Sequence, residues 1–175
     1  MKQDLEDKFS ITDILIEYLV NQVKAGAQML QVFESNCGYL TPHLFDQYCR
    51  DRLARIVKEV KKRLGDKAVP MTIFCKDGFF ALDRLADTDY DVVGVDWATS
   101  AALAREQCPG KTLQGNLDPC VLYGDKETIE AEVGTMLGQF GNDKYIVNLG
   151  HGIYPDMDPE AVQTFIKCVH NVKIE

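Results

Sequence analysis

The 175-residue sequence has few basic residues, few histidines and no long apolar run. It carries 19 lysines and arginines against 27 aspartates and glutamates, so its net charge is −8 and nucleic acid is not an expected partner. No window approaches the roughly 18 apolar residues that a membrane span requires. The polar, acidic amino terminus is not typical of a secretory signal or a transit peptide. These absences predict a globular protein of the cytoplasm with no membrane association.

The motifs of common cofactor and metal sites are missing as well. The six cysteines form no Cys-x-x-Cys pair and are expected to be reduced thiols of a reducing compartment. The sequence contains no GxGxxG after a strand, no P-loop, no GxSxG and no HExxH. His151 has no histidine or cysteine close to it in the sequence, so a zinc site is not expected. Neither a metal nor an organic cofactor is predicted.

What the sequence does contain is an alternation of helical and strand patterns. The helical patterns cover residues 10–27, 41–65, 78–87, 100–108, 125–140 and 158–172. The apolar strand patterns cover residues 28–34, 69–75, 91–96, 111–116 and 144–150. The strands are continuous apolar runs, which is typical of parallel strands covered on both faces. We therefore predict one α/β domain over residues 1–175, either a doubly wound sheet or part of a barrel.

Polar residues follow every one of these strands. They are Glu34, Ser35, Lys76, Asp77, Asp96, Asn116, Asp118, Asn148 and His151. The carboxyl ends of parallel strands share one face of a β/α fold, so these side chains are expected to converge there. Taken singly, Ser35, Asp77 and Asp96 could be helix caps and Lys76 could pair with a carboxylate. His151 is the one histidine at a strand end, and a functional role is favoured for it.

Several of these segments resemble one known family when they are considered together. The stretches "LQVFESNCGYLTP", "TLQGNLDPCVLYG" and "YIVNLGHGIYPDMDPE" resemble the carboxyl-terminal half of uroporphyrinogen decarboxylase, over residues 11 to about 172. The resemblance implies a partial (β/α)8 TIM-type barrel with about five parallel strands and flanking helices. It also implies a cytoplasmic homodimer that needs no cofactor. Such an enzyme removes CO2 from the four acetate side chains of uroporphyrinogen and yields coproporphyrinogen for haem biosynthesis.

The same resemblance assigns candidate site residues. Ser35 corresponds to the family's substrate-contacting serine, and His151 corresponds to a substrate-binding, catalytic histidine at the last strand end. The family's arginine-rich substrate loop, its aspartate for the pyrrole N–H groups and its catalytic-site tyrosine have no counterpart in this sequence. The loop "SNCGYL" also departs from many members, which have a second histidine or an alanine there. We therefore expect a truncated fragment with little activity alone.

Two other functions stay open at this point. A corrinoid-linked methyltransferase of the same superfamily would carry metal-ligating cysteine and histidine sets at its strand ends, and the cysteine spacing does not provide them. A non-catalytic half-barrel that binds a full-length partner is the second. Five strands cannot close a barrel and leave unpaired edges that favour association. Bound zinc would support the first function, and co-purification with an intact decarboxylase the second.

Overall fold

The computed structural model describes residues 10–172, which alternate between helices and strands. The strands are β1 (Leu30–Glu34), β2 (Met71–Cys75), β3 (Val92–Gly94), β4 (Thr112–Leu117) and β5 (Tyr145–Leu149). The helices are α1 (Ile11–Lys24), α2 (Pro42–Phe45), α3 (Asp51–Leu64), α4 (Leu82–Ala86), α5 (Ala101–Gln107), α6 (Lys126–Phe140) and α7 (Pro159–Asn171). All five predicted strands are confirmed. Among residues 10–172, no helix is both long and apolar enough to cross a membrane.

The strands form one sheet in the order β1-β2-β3-β4-β5, and every neighbouring pair is parallel. A doubly wound sheet would reverse its strand order part-way along the chain. A sequential order with crossovers of one hand places the helices on the same side of the sheet, as in a β/α barrel. The α/β class and the partial TIM-type barrel are therefore confirmed, and the doubly wound alternative is wrong.

Helix starts follow the capping signals in the sequence. Ser10 accepts a hydrogen bond from the Asp13 N–H, and the Asp13 carboxylate accepts one from the Ser10 N–H. Thr41, Asp125 and Asp158 likewise accept backbone N–H groups in the first turns of α2, α6 and α7. These side chains satisfy donors that would otherwise lack partners at a helix start. The boundaries of these elements are thus fixed locally.

The helix predicted over residues 41–65 is interrupted, which corrects the sequence-based expectation. A π turn spans Asp46–Arg50 between α2 and α3. On α2, Phe45 is fully buried, and its ring packs edge-on against Phe80 at 5.9 Å between centroids. Asp46 pairs with Arg84, with Nε at 2.7 Å. The wider turn accommodates these contacts while α3 keeps its own buried face.

The core lies where alternate strand residues meet the apolar faces of the helices. Buried strand residues on this side are Leu30, Val32, Met71, Ile73, Cys75, Val93, Val95, Leu113 and Leu117. The helices contribute buried residues such as Ile16, Val20, Ile56 and Val57. Each such side chain contributes roughly 1.5–3 kcal/mol relative to an exposed one. This packing holds the carboxyl ends of the strands in place.

The opposite face of the sheet is covered only in part: Thr72, Val92 and Gln114 are buried there, but Phe33 is exposed, so the prediction that both faces are covered fails at Phe33. Phe33 follows the buried Val32 on β1 but is itself 64% exposed. Its partner across the β1–β2 pair is Phe74, which is half-buried, and their ring centroids lie 6.1 Å apart. At Phe33 the apolar strand pattern thus marks a part of the inner wall that residues 10–172 do not cover.

This open face is concave. Gln114 on β4 donates from Nε2 to Oε1 of Gln31 on β1, at 3.2 Å, although β2 and β3 lie between them. In a flat sheet, strands this far apart would be separated by ~14 Å, too far for this contact. The sheet therefore curves as the wall of a barrel does, and its two edges turn toward each other.

Candidate active site

A cavity of about 360 Å³ lies on the concave face at the carboxyl ends of the strands. Ser35 follows β1 and His151 follows β5, and both line this cavity. The other lining residues are Gln31, Phe33, Phe74, Lys76, Gln114, Asn148, Leu149 and Gly152. The two candidate residues come from opposite edges of the sheet. The curvature of the sheet is what brings them to one cavity.

The remaining polar residues at strand ends divide into two groups. Lys76 and Asn148 line the cavity with Ser35 and His151. Glu34 instead accepts the Asn36 N–H at 3.0 Å and so holds the turn after β1. The convergence expected from sequence therefore applies to four side chains and not to the whole set.

Asp96, Asn116 and Asp118 have structural roles. The Asp96 carboxylate is buried and accepts the Thr99 hydroxyl at 2.7 Å. Asn116 donates from Nδ2 to the carbonyl oxygens of Asp96 and Thr99, at 2.7 and 2.6 Å. Asp118 accepts the Cys120 N–H at 2.8 Å and caps a 3-10 turn. The capping alternative raised from the sequence fits the contacts of Asp96, whereas Asn116 joins two carbonyl groups of the loop after β3.

His151 is positioned by Trp97 and Gly150. Its ring packs edge-on against the Trp97 ring, with centroids 5.5 Å apart and planes at 81°. Gly150 lies so close to the Trp97 backbone that a Cβ at this position would overlap it. The end of β5 can therefore approach the loop after β3 only because residue 150 is a glycine. This explains one of the two glycines that flank the histidine.

The segment after His151 is held from a neighbouring loop. The Tyr123 hydroxyl donates to Oδ1 of Asp156 at 2.8 Å, and Met157 is buried in the core. The hydrogen bond to the Asp156 carboxylate, assisted by partial burial, raises the pKa of Tyr123 to about 12. The segment that contains the Tyr-Pro and Asp-Pro steps is thus anchored at Asp156 and Met157.

Several cavity residues were not identified from the sequence. Gln31, Phe33, Phe74 and Gln114 all lie within strands and face the concave side. The two glutamines carried an available signal, because a polar residue inside an apolar strand indicates a position outside the core. The two phenylalanines carried none, since an apolar residue in a strand normally indicates burial.

Residues 9–172 match the family model described as uroporphyrinogen decarboxylase (URO-D). The chain belongs to the uroporphyrinogen decarboxylase family. The resemblance noted in the sequence is thereby confirmed.

Relatives carrying that name come from distant organisms. The uroporphyrinogen decarboxylase of Homo sapiens is 54% identical over 165 residues, and that of Danio rerio is 52% identical over 166. That of Salinibacter ruber is 48% identical over 160 residues. The matched regions cover 91–92% of this chain and 45% of each relative. The chain thus spans less than half the length of these decarboxylases.

A solved structure shows the same fold. A methyltransferase from Methanosarcina mazei superimposes with a TM-score of 0.77 at 22% identity, covering 90% of this chain and 46% of that one. At this identity the likeness concerns the fold alone. Within residues 10–172, no group of three or more His, Cys, Asp or Glu side chains is arranged to hold a metal ion. The methyltransferase alternative therefore rests on the fold only.

The cavity of this decarboxylase-family chain differs in charge from the rest of the molecule. The chain has a net charge of −8, yet no aspartate or glutamate is among the lining residues. Lys76 and His151 are the basic groups there, and Ser35, Asn148 and the glutamines are neutral hydrogen-bonding groups. Such a site disfavours cations and is suited to an anionic ligand.

Two buried thiols, Cys37 and Cys75, pack together next to the loop that carries Ser35. Both contact the space beside Gly78. Their hydrogen bond lowers the pKa of Cys37 and, together with burial, raises that of Cys75. All six cysteines of the chain are free thiols, in agreement with the sequence-based expectation.

Proposed function

We propose that this chain provides the Ser35 and His151 side of a uroporphyrinogen decarboxylase active site. The observation that carries the proposal is that both residues line one cavity that has no carboxylate. Membership of the family supports the same reaction. The substrate is uroporphyrinogen, a tetrapyrrole rich in carboxylates, and the product is coproporphyrinogen.

The chemistry needs no cofactor, because the pyrrole ring itself can accept the electrons. Protonation of a ring carbon next to the acetate produces a cationic ring. The bond between the acetate methylene and its carboxylate then breaks, CO2 leaves, and the bonding electrons neutralise the ring. The methylene takes up one proton and the ring loses its added proton, which leaves a methyl group. The protein has to supply proton donors and fixed hydrogen bonds.

Ser35 and His151 are suited to two of these tasks. The exposed Ser35 hydroxyl can donate one hydrogen bond to a substrate carboxylate. Imidazole is the side chain that most readily takes up and releases a proton at neutral pH. His151 thus serves as a proton donor or as a carboxylate contact. Its ring is oriented by Trp97 in either role.

The cavity accommodates part of the substrate. Its volume of about 360 Å³ is near the lower end of the usual ligand range, roughly 300–1,000 Å³. One acetate-bearing pyrrole would enter it, while the rest of the macrocycle lies across the concave face. Phe33 and Phe74 offer apolar contacts to the ring there.

We further propose that turnover requires the part of the family barrel that this chain does not span. The matched relatives are more than twice as long, and a chain of net charge −8 provides little positive field for an anionic substrate. The proposal includes a homodimeric, cytoplasmic enzyme that needs no metal, membrane or nucleic acid. The isolated chain should show little activity.

The experiment measures coproporphyrinogen formed from uroporphyrinogen under anaerobic, reducing conditions. The chain is assayed alone and mixed with the segment of the human relative that it does not cover. We expect background turnover alone and clear turnover in the mixture. His151→Asn should lower it by about 10²-fold or more, whereas the matched control His170→Asn, on exposed α7 surface, should not.

Three results would contradict the proposal. They are robust turnover by the chain alone, an inactive mixture whose components bind each other, and full activity of His151→Asn. An inactive but stably associated mixture would favour the second candidate, a non-catalytic half-barrel that binds a partner. The exposed Phe33 on the open face is the observation that favours this candidate.

A further inference from the structure

Lys76 is a cavity residue whose charge is not neutralised within the described part of the chain. It follows β2 directly and lines the cavity beside Ser35. The ion pairs found among residues 10–172 involve other lysines and arginines, such as Lys61 with Asp91 and Arg84 with Asp46. None of them includes Lys76. The pairing with a carboxylate that its sequence position suggested is not observed.

The neighbouring carboxylates are engaged elsewhere. Glu34 accepts the Asn36 N–H at 3.0 Å. The side chain of Asp77 lies against Gly38, where it occupies the space beside the glycine Cα. Lys76 itself is half-buried and lines the cavity together with Phe74. Because no ion pair within residues 10–172 includes Lys76, its ammonium group can pair with the carboxylate of a ligand.

We propose that Lys76 binds a substrate carboxylate that does not react. This inference rests on the proposed function and names a further binding residue for it. An ammonium group donates up to three hydrogen bonds and attracts a carboxylate as a point charge. Lys76 and Ser35 follow adjacent parallel strands, which are about 4.8 Å apart. Two carboxylate arms on neighbouring carbons of one pyrrole could therefore be held by these two residues.

The reacting carboxylate is excluded as the partner of Lys76 on energetic grounds. This carboxylate loses its charge when it leaves as CO2. A fixed cation would stabilise it before the reaction more than in the transition state, and that would slow decarboxylation. Lys76 must therefore contact an arm that keeps its charge, namely a propionate, which is present in both uroporphyrinogen and coproporphyrinogen.

The test measures binding of the oxidised, fluorescent uroporphyrin and coproporphyrin to the chain itself. Lys76→Gln is compared with Lys67→Gln, which removes the same charge at an exposed position in the turn four residues before β2 begins. We expect Lys76→Gln to raise both dissociation constants about ten-fold and to reduce their salt dependence. Lys67→Gln should bind as the wild type does. Lys76→Arg should restore most of the affinity.

Equal affinities of Lys76→Gln and Lys67→Gln would overturn the role of Lys76, and turnover of the wild-type mixture would still support the proposed function. Weaker binding of uroporphyrin alone would show that Lys76 contacts an acetate, which contradicts the inference. No porphyrin binding by the wild-type chain would overturn it as well. In the active mixture, we expect Lys76→Gln to raise KM and leave kcat within about two-fold.

Discussion

Gly150 determines how closely the His151 loop approaches Trp97. A Cβ at residue 150 would overlap the Trp97 backbone, whereas a Cβ at Gly152 would meet no atom within 4 Å. Gly150→Ala should therefore move the loop and lower the free energy of unfolding by about 1–3 kcal/mol, while Gly152→Ala should change it little. Urea unfolding of both variants gives the comparison. Equal stabilities would show that the loop yields without cost.

The Tyr123–Asp156 hydrogen bond makes a pH-dependent contribution to stability. It raises the pKa of Tyr123 to about 12, above the value of about 10 for an unfolded chain. A raised folded-state pKa stabilises the fold below the unfolded value, and this gain is lost as the pH rises through the folded value. Tyr123→Phe should thus be less stable than the wild type near neutral pH.

The same hydrogen bond predicts the pH at which the stability difference between Tyr123→Phe and the wild type disappears. The gap between the unfolding midpoints of Tyr123→Phe and wild type should close between about pH 10 and about pH 12. Urea titrations from about pH 7 to about pH 12 measure it. Tyr39→Phe is the control, because Tyr39 is 86% exposed. A gap that stays constant over this range would mean that the hydrogen bond does not persist in solution.

Among the elements, α1 depends on its capping box. Ser10 and Asp13 exchange hydrogen bonds at its start, and the Asp13 carboxylate also pairs with Arg55 of α3. Ser10→Ala should lower the free energy of unfolding by about 1 kcal/mol. Ser35→Ala should have almost no effect on stability, because no hydrogen bond of its hydroxyl is found within residues 10–172. Chemical denaturation of both variants tests this, and equal losses would contradict it.

The elements also show which features the sequence alone could predict. Caps such as Thr41 and Asp125 are local signals, and a strand with a polar residue at its end is readable from a few residues. The π turn at residues 46–50 could not be predicted in this way, because no proline or glycine marks it in the sequence. Its contacts, including Arg84 with Asp46, join segments far apart in the sequence. Long-range packing of this kind leaves no local pattern.

At the scale of the whole molecule, the open concave face is the feature that local patterns misrepresented. Phe33 looks like a core residue in its strand, yet it lines the cavity and is 64% exposed. The sequence of β1 does not indicate which other segment covers this side of the strand. The exposed Ile11, Ile14 and Tyr18 along α1 form a second apolar surface of this kind. The fold class was thus predictable, but the burial of the inner wall was not.

The open face should therefore be covered when the rest of the family barrel is supplied. Adding the segment of the human relative that this chain does not span should raise the chain's unfolding midpoint. When the free segment is present at a hundred times its dissociation constant, the free energy of unfolding should rise by about 2.7 kcal/mol.

Phe33→Ser should weaken this stabilisation, because Phe33 lies on the face to be covered and is 64% exposed in the free chain. Tyr39→Ser removes a ring that is 86% exposed and does not line the cavity, so it should leave the gain intact. A midpoint that does not respond to the segment, or that responds equally in both variants, would show that the concave face is not the surface that completes the barrel.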